Sequence, residues 1–321
     1  MVKQMLESSF GTPAMQRLAR CPACGCSDLR PHLASEDYHY GNPGIFNVDV
    51  CSECELWVLS PLPDAKTLAG FYPQDYYSFE PPSLESGWKP RLRKLLGMRR
   101  ETWVPAFPRP GTMLDVGCGA GQYLLEMRDR GWKVQGSELS RSAADAGRAA
   151  GLDIRGGELM DAGFPADSFD FVRLNHSFEH IPNPAAILSE IRRILKPAGK
   201  LFIGVPNAQG LWARLFGRYW WYLGLPVHTF SYNPKNIRLM LEANGFRVER
   251  LRFYSEFVGL MGSLQIFANR HRVPRSSDGP IVRSWLLRPF AQYLSRLLDL
   301  FRLGDCIEVI GVKAGNPRVV R

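Results

Sequence analysis

The run Met113-Leu114-Asp115-Val116-Gly117-Cys118-Gly119-Ala120-Gly121 constrains this chain most. A mostly apolar strand enters three glycines at alternate positions, and a helix-compatible stretch follows. Glycine tolerates the left-handed backbone of a tight turn and lets a ligand approach the main chain closely. The same alternation continues. Strands are expected over 112–116, 133–137, 152–155, 169–174, 200–205, 246–254 and 307–312. Helices are expected over 123–130, 141–150, 184–195 and 233–244. Ser140 suits an N-cap, and Gly151, Lys196-Pro197 and Gly245 are stop signals. The expected fold class is α/β, with a doubly wound, seven-stranded, mostly parallel sheet. Such sheets bind ligands beyond the carboxyl ends of their strands, where the strand order reverses.

Acidic and polar residues recur at those strand ends. Glu138 closes the second strand, where a carboxylate can accept two hydrogen bonds from ribose hydroxyls. Glu158 follows the third strand, where an acceptor can meet an adenine amino group. Asn175 lies just past the fourth, beside the glycine turn. The G-C-G-A-G turn lacks the G-x-G-x-x-G spacing of dinucleotide folds.

In order, LDVGCGAG, Glu138, GGELMDAGFPADSFDFV, NHSFEHIPNP and ILKPAGKLFIGVPN resemble the motifs of class I S-adenosylmethionine-dependent methyltransferases, over about residues 111–250. The resemblance implies S-adenosylmethionine as cofactor, with Gly117, Gly119 and Gly121 lining its methionine and ribose. It implies Asp115 orienting the turn, Glu138 on the ribose, Glu158 with Leu159 on the adenine, and Asn175 at the same site. Two positions depart from the family pattern: Glu158 stands where Asp is commoner, and Gly163 where Pro is commoner.

Five of the seven cysteines lie within the first 54 residues. Cys21-x-x-Cys24 and Cys51-x-x-Cys54 have the spacing of two knuckles that share one Zn²⁺ through four thiolates, a closed and therefore structural site. Cys26 is a fifth thiol, either spare or an alternative to Cys24. With the aromatic segment Phe71-Tyr72-Pro73-Gln74-Asp75-Tyr76-Tyr77, this layout resembles a bacterial methyltransferase group that includes sugar-nucleotide C-methyltransferases and enzymes of polysaccharide and natural-product pathways. The expected organisation is a zinc-binding module with an aromatic wrap over 1–80, a basic linker over 81–110, and the main domain over 111–321.

The acceptor side is less defined. His176, His180 and His228 are candidate general bases for deprotonating a hydroxyl. Trp212, Phe216, Tyr219, Trp220, Trp221 and Tyr222, with Arg214 and Arg218, could form an acceptor-binding insert or a hydrophobic mini-core. Between Val282 and Phe301, apolar residues at helical spacing alternate with arginines. Packing on the chain's own domain or on a twin subunit is the favoured reading, and contact with anionic lipid the other.

The net charge of +9 gathers around Lys89, Arg91, Arg93, Lys94, Arg99 and Arg100, and in the last 55 residues. It suits anionic partners or a solvated basic surface. No apolar run reaches the roughly 18 residues of a spanning helix, and the first ten residues lack a secretory h-region, so a cytoplasmic location is expected. Three functions compete. The first is methylation of a small molecule such as a sugar nucleotide, glycan or related hydroxylated metabolite. The second is a zinc-containing RNA methyltransferase, disfavoured because Asn175-His176-Ser177-Phe178 lacks the motifs of nucleic-acid enzymes. The third is a non-enzymatic cofactor-binding scaffold.

Overall fold

The structure, a computed structural model, describes residues 15–73 and 105–314. The basic stretch 89–104 and residues 74–77 of the aromatic segment lie outside them. Three strands form the N-terminal ribbon: β1 (Leu29–Ser35), β2 (Phe46–Cys51) and β3 (Trp57–Ser60).

The main domain alternates as its sequence pattern requires. β4 (Thr112–Val116) feeds helix α1 (Gln122–Asp129), and β5 (Lys133–Glu138) feeds α2 (Arg141–Ala149). β6 (Ile154–Gly156) and β7 (Phe169–Asn175) precede α3 (Pro184–Ile194), which runs into β8 (Leu195–Pro206). Then come α4 (Leu211–Phe216), β9 (Phe230–Ser231), α5 (Pro234–Ala243), β10 (Phe246–Tyr254), α6 (Phe257–Ala268), α7 (Arg288–Leu300) and β11 (Cys306–Lys313). The third strand sits two residues later than expected, because Leu152 is used in the turn that closes α2, its N–H donating to the Gly147 carbonyl. Ser140 caps α2 as anticipated, its hydroxyl accepting from the Ala143 N–H.

Seven strands form one sheet in the order β10-β11-β8-β7-β4-β5-β6. β8 to β7, β7 to β4, β4 to β5 and β5 to β6 pair in parallel, and only β11 runs antiparallel to its neighbours. Strand order therefore reverses between β4 and β7. The glycine turn leaves β4 at that point, and Asn175 ends β7 beside it.

The ribbon is built into the main domain. β9, from residues far along the chain, adds to β3 and completes a four-stranded sheet, β9-β3-β2-β1. Asn233, the N-cap of α5, donates through Nδ2 to the carbonyls of Cys54 and Glu55, and Asn236 donates to Cys54 as well. One apolar core runs from Cys21, Cys51 and Leu56 through Phe178 and Tyr232 to Ile307 and Val309. The tryptophans of the aromatic insert serve this junction: Trp212 and Trp220 are buried with Val48, Trp57 and Leu59, and Trp220 meets Trp57 edge to face.

Candidate functional site

Gly117, Gly119 and Gly121 all occupy the left-handed region, at φ of 70°, 56° and 88°. Two of them also have no room for a side chain. A Cβ on Gly117 would lie 2.7 Å from Cβ of Ser177, and one on Gly121 would lie 2.4 Å from Cδ1 of Leu152. The turn is pinned from β5. The Ser137 carbonyl accepts from the N–H groups of Gly117 and Cys118, and Glu138 Oε2 accepts from Gly119 N–H at 2.8 Å. Glu138 Oε1 accepts from Ser140 N–H at 2.8 Å. Each carboxylate oxygen keeps further acceptor capacity, so Glu138 holds the turn and can still receive a diol. Burial, outweighing these N–H donors, pushes its pKa above the ordinary glutamate value.

Other residues read from the sequence take distinct places. Asp115 is buried, and both of its oxygens accept from Nη1 of Arg173 at 2.9 and 3.0 Å. Arg173 stacks over Tyr123 of α1 at 3.8 Å, so this pair ties β4, β7 and α1 together. Burial, opposed by Arg173, raises the Asp115 pKa. Arg173 was not singled out from the sequence; its cue is an arginine inside an apolar strand. The Glu138 carbonyl accepts from Gly157 N–H, which brings exposed Glu158 and buried Leu159 to the rim of the turn. Asn175 lies against β8, with Oδ1 buried and without a hydrogen-bond partner among the described residues. Ser177 is the residue that touches the turn, donating to the Val116 carbonyl. Three left-handed glycines, an ionisable diol acceptor and an unsatisfied buried amide oxygen together fit an adenosyl ligand.

Beyond Ser177 the chain builds a second cluster. Glu179 is fully buried, and neither of its oxygens has a hydrogen-bond partner among the described residues. His176, held at φ 51°, places Nδ1 3.4 Å from Glu179 Oε1. His180 and His228 meet edge to face at 4.6 Å between ring centroids. Nδ1 of His180 lies 2.7 Å from the Tyr72 hydroxyl and 3.0 Å from the Val227 carbonyl. The Nδ1–H of His228 donates to the Tyr222 carbonyl at 2.9 Å. Since a carbonyl only accepts, the His228 ring carries its proton on Nδ1 and presents Nε2 as a lone pair. Burial holds both imidazoles below the ordinary histidine pKa, His228 down to about 3. Burial raises Glu179, but the adjacent His176, His180 and His228 rings outweigh it and hold that carboxyl at about 2. Tyr222 stacks on His176 at 6.0 Å and forms the facing wall. The donor atoms of Glu179, His180 and His228 lie within 4.8 Å of one another, so the set could also ligate a cation. The sequence supplied the three histidines but not Glu179 as their shared anion, nor Tyr72 as their partner.

At the ribbon, one sulfur from each of Cys21, Cys24, Cys51 and Cys54 lies within 4.8 Å of the others, with Cys21–Cys54 and Cys24–Cys51 both at 3.5 Å. The two knuckles fold alike. Gly25 N–H donates to the Cys21 carbonyl and Glu55 N–H to the Cys51 carbonyl, and both donor residues are left-handed. The contact between Cys21 and Cys54 lowers the Cys21 pKa and raises that of Cys54. Cys26 stands outside the set, its sulfur accepting from Asp28 N–H. Four thiols at this separation fit a tetrahedral zinc ion.

A family model described as "Methyltransferase domain" matches residues 88–251, just over half of the chain. The chain is 32% identical over 131 residues to a ubiquinone biosynthesis O-methyltransferase of Hahella chejuensis, covering 38% of this chain and 55% of that one. It is 28% identical over 153 residues to a demethylmenaquinone methyltransferase of Listeria welshimeri, covering 44% and 60%. The chain thus spans about half the length of the curated relatives it matches. Among solved structures, a SAM-dependent methyltransferase from Archaeoglobus fulgidus aligns with a TM-score of 0.45 at 20% identity, over 70% of this chain and 93% of that one. With the glycine turn, Glu138 and the strand-end motifs all inside the matched segment, the chain belongs to the methyltransferase-domain family.

Proposed function

We propose that the chain transfers the methyl group of S-adenosylmethionine to a hydroxyl of a small-molecule acceptor. The observation that carries this reading is the adjacency of two groups at one sheet edge. The turn pinned by Glu138 abuts Ser177, and Ser177 leads directly into the Glu179–histidine cluster. When bound, the cofactor supplies an electrophilic methyl carbon on a sulfonium sulfur. Gly117, Gly119, Gly121, Glu138, Glu158, Leu159 and Asn175 would hold the adenosyl and methionine parts. His228, through the Nε2 lone pair its tautomer leaves, or His180 takes the acceptor's hydroxyl proton as oxygen displaces the thioether. Glu179 stabilises the imidazolium formed, and His176 helps orient that carboxylate. Tyr222 and Tyr72 supply flat walls for a ring.

The acceptor class we favour is a hydroxylated ring: a sugar nucleotide, glycan or related metabolite. The quinone-related names of the relatives support a phenolic ring as the second reading. Zinc in the four-cysteine set has a structural role, holding the ribbon against the N-terminus of α5. Incubating the purified chain with methyl-labelled S-adenosylmethionine and matched panels of sugar nucleotides and dihydroxylated quinone precursors tests the reading. Label in an acceptor, lost in His180→Ala or in His228→Ala, supports it. Cofactor binding without transfer to either panel would rule out both acceptor classes.

A further inference from the structure

The segment between β10 and β11 carries a surface that the methyl-transfer chemistry does not use. Helix α7 has two apolar faces. Ala291, Ser295 and Leu298 turn inward and are buried. Phe290, Tyr293, Leu297, Leu300 and Phe301, at spacings of three, four, three and one, fall on another face and are exposed, Leu300 at 79%. Just before the helix, Trp285, Leu286 and Leu287 are exposed as well, Trp285 at 75%. Single exposed apolar residues are ordinary, but a contiguous set of this size marks an interaction surface.

Between Ser284 and Arg302 the exposed charges are positive. Arg288, Arg296 and Arg302 are exposed along this stretch. Arg283 is matched by Asp278. The one acid in the sequence between residues 283 and 302 is Asp299, which accepts from the N–H and hydroxyl of Ser255 and also attracts Arg296, so the stretch keeps a positive excess. No helix among the described residues is long and apolar enough to cross a membrane. We infer that this face docks in the plane of an anionic lipid surface, with Trp285, Phe290 and Leu300 entering the interface and the arginines meeting phosphate headgroups. A second copy of the chain fits less well, because a two-fold contact would set the same arginines against each other.

The position gives the contact a purpose. β10 ends at Tyr254 opposite Cys306, and Cys306 also pairs with Pro206 at the end of β8. The segment therefore springs from the sheet edge that carries the glycine turn and the histidine cluster, and docking would turn the acceptor side toward the bilayer. That last step rests on the proposed methyl transfer, whereas the docking itself does not.

The test is flotation of the full chain with vesicles of phosphatidylglycerol and phosphatidylcholine in equal parts, and with phosphatidylcholine alone. Binding to the anionic vesicles, reduced by high salt, is expected. W285S/F290S/L300S should weaken it by at least roughly tenfold, and R288Q/R296Q should weaken it by roughly fivefold per arginine removed. All five positions are exposed, so both variants should keep the wild-type Tm and bind S-adenosylhomocysteine in calorimetry as the wild type does. Refusal of anionic vesicles by the wild type, or equal binding by the triple variant, overturns the inference. So does a wild-type dimer that ignores vesicles and that the triple variant converts to monomer. Vesicle binding by a chain that shows no heat with S-adenosylhomocysteine would leave the docking standing and remove the methyl-transfer reading.

Discussion

The glycine turn is held by Ser137 and Glu138, the latter contact spanning 19 residues of sequence, whereas the histidine cluster draws Tyr72, His176, Glu179, His180, Tyr222 and His228 from across the chain. At the first, the main chain makes the site, and glycine is needed because no side chain fits. At the second, side chains make the site, and what matters is which lone pair faces inward. The difference teaches where each end is fragile: the cofactor end to any added atom, the acceptor end to loss of one imidazole or to displacement of the segments that deliver it.

Substitution at the turn should have the largest effect. Gly121→Val adds a side chain at φ 88° against Leu152 and should weaken S-adenosylhomocysteine binding more than ~100-fold in calorimetry, with the ribbon's metal content unchanged. At the acceptor end the effect should fall on turnover. Whichever of His228→Ala and His180→Ala removes the base should lower kcat by roughly 10²–10⁴-fold while cofactor affinity stays within about twofold. If both variants turn over normally, the cluster does not move the proton.

The ribbon joins the comparison because it supports the acceptor end. Asn233 and Asn236 tie the second cysteine knuckle to the N-terminus of α5, five residues beyond His228. Cys51→Ser should release the zinc, lower Tm by roughly 10 °C and reduce kcat more than it weakens the cofactor. Metal analysis, a melting curve and calorimetry on one preparation separate these effects. A smaller effect comes from pH. A base works when neutral, and burial lowers the pKa of both His180 and His228, so the acid limb of kcat should lie below the ordinary histidine range. A limb centred at the unperturbed value would point to a different, less buried base.

Sequence disclosed these parts unequally, and for the same reason. Periodicity and glycine spacing located β4, the turn and Glu138, because local backbone geometry dictates them. The four clustered cysteines were equally plain, being paired at two-residue spacing. Arg173 was hidden because a buried ion pair reads as one polar residue in an apolar strand until Asp115 is seen across from it. The aromatic insert was ambiguous for a similar reason. Trp212 and Trp220 pack the ribbon junction, while Tyr222 stacks on His176, and only long-range contacts sort one from the other. The outward stripe of α7 was legible as helical spacing, but the inward and outward apolar faces could be separated only by burial.

Glu138 carries the central claim, since it pins the turn and offers the ligand its acceptor. Titrating S-adenosylhomocysteine into the wild type and into Glu138→Ala by calorimetry tests that most directly. The account predicts a saturable exotherm for the wild type and at least ~10-fold weaker binding for the variant, from losing hydrogen bonds to a charged acceptor. Equal affinity in the two proteins, or no heat from a folded, zinc-loaded wild type, would contradict it.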